Sequence, residues 1–186
     1  MPDATAAPAA TQFNVGMRRL RLPLLLFLAL ACRSATPTDG HLAAMLLATD
    51  DFAMIQHDWR ELPAAVAPAI PTVRDVYAGE TITIFVVFGG CAANANGTCD
   101  ATVEYAVARP DGKPYGAPDR GPLWTGPPPA EGEMQLGQAH VELLVELGDP
   151  LGDYTIRATI RDRVSGDVIR LEQHLVVKAN PGAVKT

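Results

Sequence analysis

Thr81-Ile82-Thr83-Ile84-Phe85-Val86-Val87-Phe88 constrains this chain more than any other stretch. β-Branched and aromatic residues favour extended backbone. Apolar side chains occupy both parities, so the run predicts a strand buried on much of both faces. Four further segments alternate with period two. Val103, Tyr105 and Val107 alternate with Thr102, Glu104 and Ala106, and Val141, Leu143 and Val145 alternate with His140, Glu142 and Glu146. Tyr154, Ile156, Ala158 and Ile160 alternate with Thr155, Arg157, Thr159 and Arg161. Ile169, Leu171, Leu175 and Val177 follow, with Gln173 as the imperfect position. Such alternation puts one face in a core and one in water. Val164-Ser165-Gly166-Asp167 reads as the turn joining the last two strands.

The segment 110–137 is Pro- and Gly-rich, and Leu123-Trp124 is its best candidate for an edge strand, because sheet edges tolerate proline. No amphipathic helix separates the strands. The pattern predicts an all-β, antiparallel β-sandwich of about seven strands over residues 72–178. Ahead of it, residues 41–71 read as a helical segment followed by a linker containing Pro63, Pro68 and Pro71. Thr49 or Asp50 is the expected cap, Asp50-Asp51 reading as a helix start, and Phe52, Ile55 and Trp59 form the apolar stripe. Residues 179–186 form a tail.

Met17-Arg18-Arg19-Leu20-Arg21 is a basic stretch followed by the ten apolar residues Leu22 to Ala31, the anatomy of a secretory signal peptide over residues 1–31. Such a run is shorter than the roughly 20 residues a membrane-spanning helix needs. The sixteen preceding residues add nothing to a signal, so Met17 is the expected start of translation. Ala29-Leu30-Ala31 satisfies the small-residue rule for ordinary cleavage, and with Cys32 it also resembles a bacterial lipobox, with Ala29 where Leu is usual. Lipidation at Cys32 and soluble release both stay open, with residues 32–40 as a tether. The expected location is the bacterial periplasm or an outer-membrane anchor. Residues 1–31 carry one acid and three bases, so the 15 bases and 21 acids of the whole chain become 12 and 20, a net charge of −8. That balance excludes nucleic acid as an expected partner, and membrane contact beyond an N-terminal lipid.

Export places Cys91 and Cys99 in an oxidising compartment, and their spacing lacks the C-x-x-C of redox sites. No histidine lies near enough in sequence to complete a zinc site, so a disulfide staple is expected. Asn96-Gly97-Thr98 matches a glycosylation sequon but reads as a turn in a bacterial protein.

Pro150-Leu151-Gly152-Asp153-Tyr154 places Gly152 two residues before a strand-opening Tyr154. This is similar to the tyrosine corner of immunoglobulin-like domains, in which the phenol bonds back to the upstream chain. Ile156 stands where antibody domains carry a cysteine, so an antibody-type inter-sheet disulfide is not implied. The chain from about Asp50 to Val177 also resembles a group of small, exported bacterial proteins without assigned function. The resemblance rests on Thr49-Asp50-Asp51, Phe88-Gly89-Gly90-Cys91, Cys99, Arg109-Pro110-Asp111-Gly112, Trp124 and Asp149 to Tyr154. It implies fold and compartment and no catalytic residue.

The two serines, Ser34 and Ser165, sit in a tether and a turn, outside any nucleophile elbow. Phosphate loops and H-E-x-x-H are absent, and His41, His57, His140 and His174 are scattered. His57-Asp58 reads as a solvated helix face, and Asp149 with Asp153 as turn residues rather than a calcium site. No cofactor or metal is expected. The reading is a non-catalytic envelope interaction or structural module, met by protein through loops or a strand edge. The alternative is a carbohydrate-binding module that uses Trp124 and Tyr115 as exposed aromatics.

Overall fold

A computed structural model of the chain describes residues 41–63, 66 and 68–182. The signal segment, Cys32, the tether and residues 183–186 lie outside them. The order of elements is β1 (Ala43–Thr49), α1 (Phe52–Glu61), β2 (Asp75–Tyr77), β3 (Thr81–Gly89), β4 (Ala101–Ala108), β5 (Asp119–Trp124), β6 (Gln135–Leu144), β7 (Gly152–Asp162) and β8 (Val168–Lys178). They form two sheets, β1-β3-β6 and β2-β8-β7-β4-β5, facing each other across one core. The architecture is all-β and two-layered, with a single short helix among the described residues.

β3 is buried from Ile82 to Gly89, as its two-sided apolar pattern predicts. Ile82, Ile84, Val86 and Phe88 point inward and join Val103, Ile156 and Leu175 of the facing sheet. Phe85 and Val87 point outward, where a sheet normally meets water, and pack instead under Phe52 and Ile55 of α1. The Phe52 and Phe85 rings lie 5.1 Å apart. The helix starts where its first turn finds an acceptor: the Met54 N–H donates to Asp51 Oδ1 at 3.0 Å. Asp51 is therefore the cap, and Thr49 Oγ1 accepts the Asp51 N–H at 3.2 Å.

Two expectations are corrected. Residues 43–49 form β1, not helix, and pair antiparallel with β3, Ala44 opposite Phe88 and Ala48 opposite Ile84. Ala, Leu and Met favour helix by only tenths of a kcal/mol per residue, and an open edge of β3 offers ladder bonds and burial that exceed this. The two-sheet body therefore begins at Ala43 rather than at residue 72. Nor is the pairing wholly antiparallel, because β2 runs parallel to β8, Asp75 opposite Val176 and Tyr77 opposite Lys178. The chain changes sheet over one residue: the Val73 N–H donates to the Ala48 carbonyl at 2.9 Å, and the Arg74 carbonyl accepts from the Val176 N–H at 2.7 Å. The eight strands thus exceed the expected seven through short segments at the margins.

β5 and β6 close one flank. The Tyr105 hydroxyl donates across the layers to the Ala139 carbonyl at 3.0 Å. A side chain on Gly137 would meet the Val86 carbonyl oxygen and Leu123 Cδ1 at 2.9 Å each, so only glycine fits.

Ile55→Ala should lower unfolding stability by about 2–5 kcal/mol. In urea the midpoint falls with an unchanged slope, whereas Gln56→Ala on the exposed side of α1 leaves it in place. An unchanged midpoint for Ile55→Ala would show that α1 is not the cover of β3.

Candidate functional site

The two ends of β4 carry the polar and sulfur chemistry of the molecule. At its start, Cys91 and Cys99 are bonded, with Cα atoms 6.0 Å apart and both residues buried. The expected staple is present. Between them Asn96-Gly97 forms the turn that its sequence predicts: the Gly97 N–H donates to the Asn94 carbonyl at 2.9 Å, and Asn94 Oδ1 accepts the Asn96 N–H at 2.8 Å.

Asp162, which the sequence reading did not single out, anchors this loop. Its carboxylate is buried at 2% exposure. Oδ2 accepts the Ala92 N–H at 2.7 Å, and Oδ1 accepts the Val164 N–H at 2.8 Å. One side chain therefore holds the disulfide loop to the β7–β8 turn. A buried carboxylate is tolerated when charge-assisted bonds replace its water. The signal was readable: Asp162 continues the inward face of Tyr154, Ile156, Ala158 and Ile160 into the turn. Beside the staple opens a cleft of about 460 Å3, walled by Cys91, Pro128, Pro129 and Met134, with His41 and Glu133 as polar neighbours.

At the far end of β4, two motifs about forty residues apart in sequence meet. The Tyr115 hydroxyl reaches two acceptors, the Leu144 carbonyl at 2.8 Å and Asp149 Oδ2 at 2.5 Å. That Asp149 oxygen also accepts the Glu146 N–H at 2.8 Å. The Arg109 guanidinium sits 5.0 Å from the Tyr115 ring centre and 4.0 Å from Asp149 Oδ1. Tyr154 meets Tyr115 edge-on at 5.8 Å, and its hydroxyl donates to the Pro150 carbonyl at 2.9 Å. This is the back-bond that the Gly152-Tyr154 spacing predicts. Gly152 has φ of +127° and packs toward Pro110, so the motif Arg109 to Gly112 and the motif Asp149 to Tyr154 share one corner. Burial, then the hydrogen bond to Asp149, pushes the Tyr115 phenol up to about 12. Burial also raises Tyr154 and, further, Tyr105.

Trp124 and Tyr115 do not form a common platform. Trp124 pairs with Ala101 at one end of β4, while the Tyr115 N–H donates to the Val107 carbonyl at the other. Six residues of strand separate them, about 20 Å. Trp124 leans on Phe88 at 5.9 Å, and its indole N–H donates to the Pro127 carbonyl at 2.8 Å. Each ring plugs its own end of the core, because half-buried aromatics at a sandwich rim gain more from apolar cover than from water. The joint aromatic surface expected for sugar is corrected accordingly.

His57 lies on the exposed face of α1, and the His140 ring packs tilted against Phe52, with centres 4.5 Å apart. His174 sits 3.5 Å from Glu172. No group of three or more His, Cys, Asp or Glu side chains among the described residues is placed to hold a metal ion. No helix among them is long and apolar enough to cross a membrane.

No protein family and no curated protein matches the chain. It aligns over 75% of its length with a family 123 glycoside hydrolase from Clostridium perfringens, at TM-score 0.44 and 10% identity, covering 27% of that chain. An alkylpurine DNA glycosylase, AlkC of Pseudomonas fluorescens, aligns over 75% at 0.40 and 14%, covering 31% of its chain. A CARDB domain from Pyrococcus furiosus aligns over 75% at 0.38 and 12%, covering 89% of that chain. The chain thus spans less than a third of the length of the first two. At these scores the likeness carries no argument about activity.

Reducing Cys91–Cys99 should cost about 2.5 kcal/mol of stability, the chain entropy released when so short a loop opens. Equilibrium unfolding with and without a reductant reads this directly, and thiol labelling of the unreduced native chain should find neither cysteine.

Tyr115 adds a pH signature. Its folded value, about 12, lies above the ordinary 10.0, so the unfolded chain gives up this proton first as pH rises. The stabilisation is complete below pH 10 and is lost between about 10 and about 12. Tyr115→Phe should therefore flatten the fall of the urea midpoint across that window, leaving the share due to Tyr105 and Tyr154.

Proposed function

We propose that the chain is an exported, immunoglobulin-like β-sandwich that works without catalysis as an interaction or structural module of a bacterial envelope. The observation that carries the reading is the buried Cys91–Cys99 bond, which persists in an oxidising compartment. It agrees with the basic and apolar N-terminal pattern that precedes it. The tyrosine back-bond to Pro150 supports the immunoglobulin-like comparison. Asp162, Asp149, Tyr115 and Tyr154, the polar side chains concentrated at the two ends of β4, are each engaged in holding loops. Their bonds give them structural work and leave surface recognition as the remaining chemistry. Lipid on Cys32 would retain such a module at a membrane, and residues 33–40 would set its reach.

Mass spectrometry of the N-terminus, after expression of the full chain in a Gram-negative host, tests the export reading. The expected outcome is a chain beginning at Cys32 with diacylglycerol attached. An unmodified Cys32 N-terminus would make the module soluble, and an uncleaved chain retained in the cytoplasm would overturn export.

A further inference from the structure

β8 is bonded along one edge to β7 from Val168 through Val177. Along the other edge its only strand partner is β2, opposite Val176 to Lys178, and β1 lies near it without pairing. The Val176 N–H points to that outer edge, where it donates to Arg74. Backbone groups alternate along a strand, so the N–H and C=O of Val168, Arg170, Glu172 and His174 point the same way. Among the described residues no strand pairs with them. An unpaired edge of this length is a template for another strand.

A cleft of about 520 Å3 runs beside this edge, between β8 and the margin of β1. Leu46, Leu47 and Val176 give it apolar walls, and Gln173 lines it. Gln173 Oε1 is buried without a hydrogen-bond partner among the described residues, an acceptor whose lost hydration is not offset. The sheet-crossing residues Thr72 and Arg74 close one end of the cleft. Arg74 has no ion-pair partner among the described residues.

The geometry points to addition of a ninth strand at this edge, supplied by the carboxy-terminal segment of a partner protein. Polarity follows from the closed end. A strand parallel to β8, as β2 already is, runs from Val168 toward His174 and is stopped by Arg74 and Asp75, so it must end there. Its terminal carboxylate then faces the Arg74 guanidinium. An antiparallel strand would bring an ammonium to the same cation. Side chains at alternate positions enter the cleft against Leu46 and Leu47, which selects apolar residues at every second place. The inference rests on the interaction-module reading and names its partner class.

The test uses the purified full chain and a displayed library of random seven-residue peptides with free carboxy termini. Selected sequences should be apolar at alternate positions. Synthesised free and amidated, such a peptide should bind roughly tenfold more weakly when amidated, or when Arg74→Glu reverses the charge. Glu172→Pro removes one outward N–H and no backbone bond to β7, together with the side-chain pairs of Glu172 with Arg157 and His174. It should therefore weaken binding relative to Glu172→Gln, which removes the charge and keeps the N–H. Bound peptide should slow hydrogen exchange at Arg170, Glu172 and His174. No selected peptide, equal binding of the amidated form, or protection elsewhere would overturn the proposal. Self-association of the chain that Glu172→Pro abolishes would also overturn it, in favour of a second copy. These outcomes are independent of the N-terminal mass, so failure here leaves export standing, and failure of export leaves the edge measurement intact.

Discussion

The contact of α1 with the outer face of β3 is the constraint on which the rest depends. A central strand with apolar side chains on both faces cannot border water. Phe85 and Val87 would otherwise expose apolar surface worth about 1.5–3 kcal/mol per side chain. Burying them under Phe52 and Ile55 requires a helix immediately after β1, on the outside of the three-stranded sheet. The linker after α1 then has to return the chain to the opposite sheet. It does so at Val73 and Arg74, which bond to β1 and β8 in turn. The parallel β2 and the partly unpaired edge of β8 are consequences of that return path.

The two ends of β4 show two ways of fixing loops around such a core. At one, sulfur and a buried carboxylate act together: the Cys91–Cys99 bond shortens the loop, and Asp162 ties it to the β7–β8 turn. At the other, a phenol, a carboxylate and a guanidinium bring the 109–115 and 146–154 turns together. Both corners are held by their own bonds, with Arg109 Nε left buried and without a hydrogen-bond partner among the described residues. The unpaired backbone lies elsewhere, along the outer edge of β8 beside the cleft, which is where the proposed ninth strand would add.

Much of this was legible. Four strands follow from alternation, because a period of two leaves a mark in any chain with one wet face, and β3 follows from its continuous β-branched and aromatic run. The edge strand around Leu123-Trp124, the stripe Phe52-Ile55-Trp59, the cysteine pair and the Tyr154 corner were readable for similarly local reasons. β1 was not: Ala43-Ala44-Met45-Leu46-Leu47-Ala48 has helical propensity, and only the open edge of β3 makes it a strand. β2 was invisible too, since three residues carry no period.

The candidate sites divide along the same line. Sequence alone determined the sheet-forming pattern, the disulfide and the turn chemistry, because each depends on residues close together along the chain or on a compartment. Tertiary structure decided that Trp124 and Tyr115 lie at opposite ends of one strand. It also decided that Arg109 meets Asp149, that Asp162 reaches Ala92, and that β8 keeps one edge open. Those outcomes depend on which strands pair and where the chain crosses between layers. They are set by packing among residues far apart in sequence, and no local pattern encodes them.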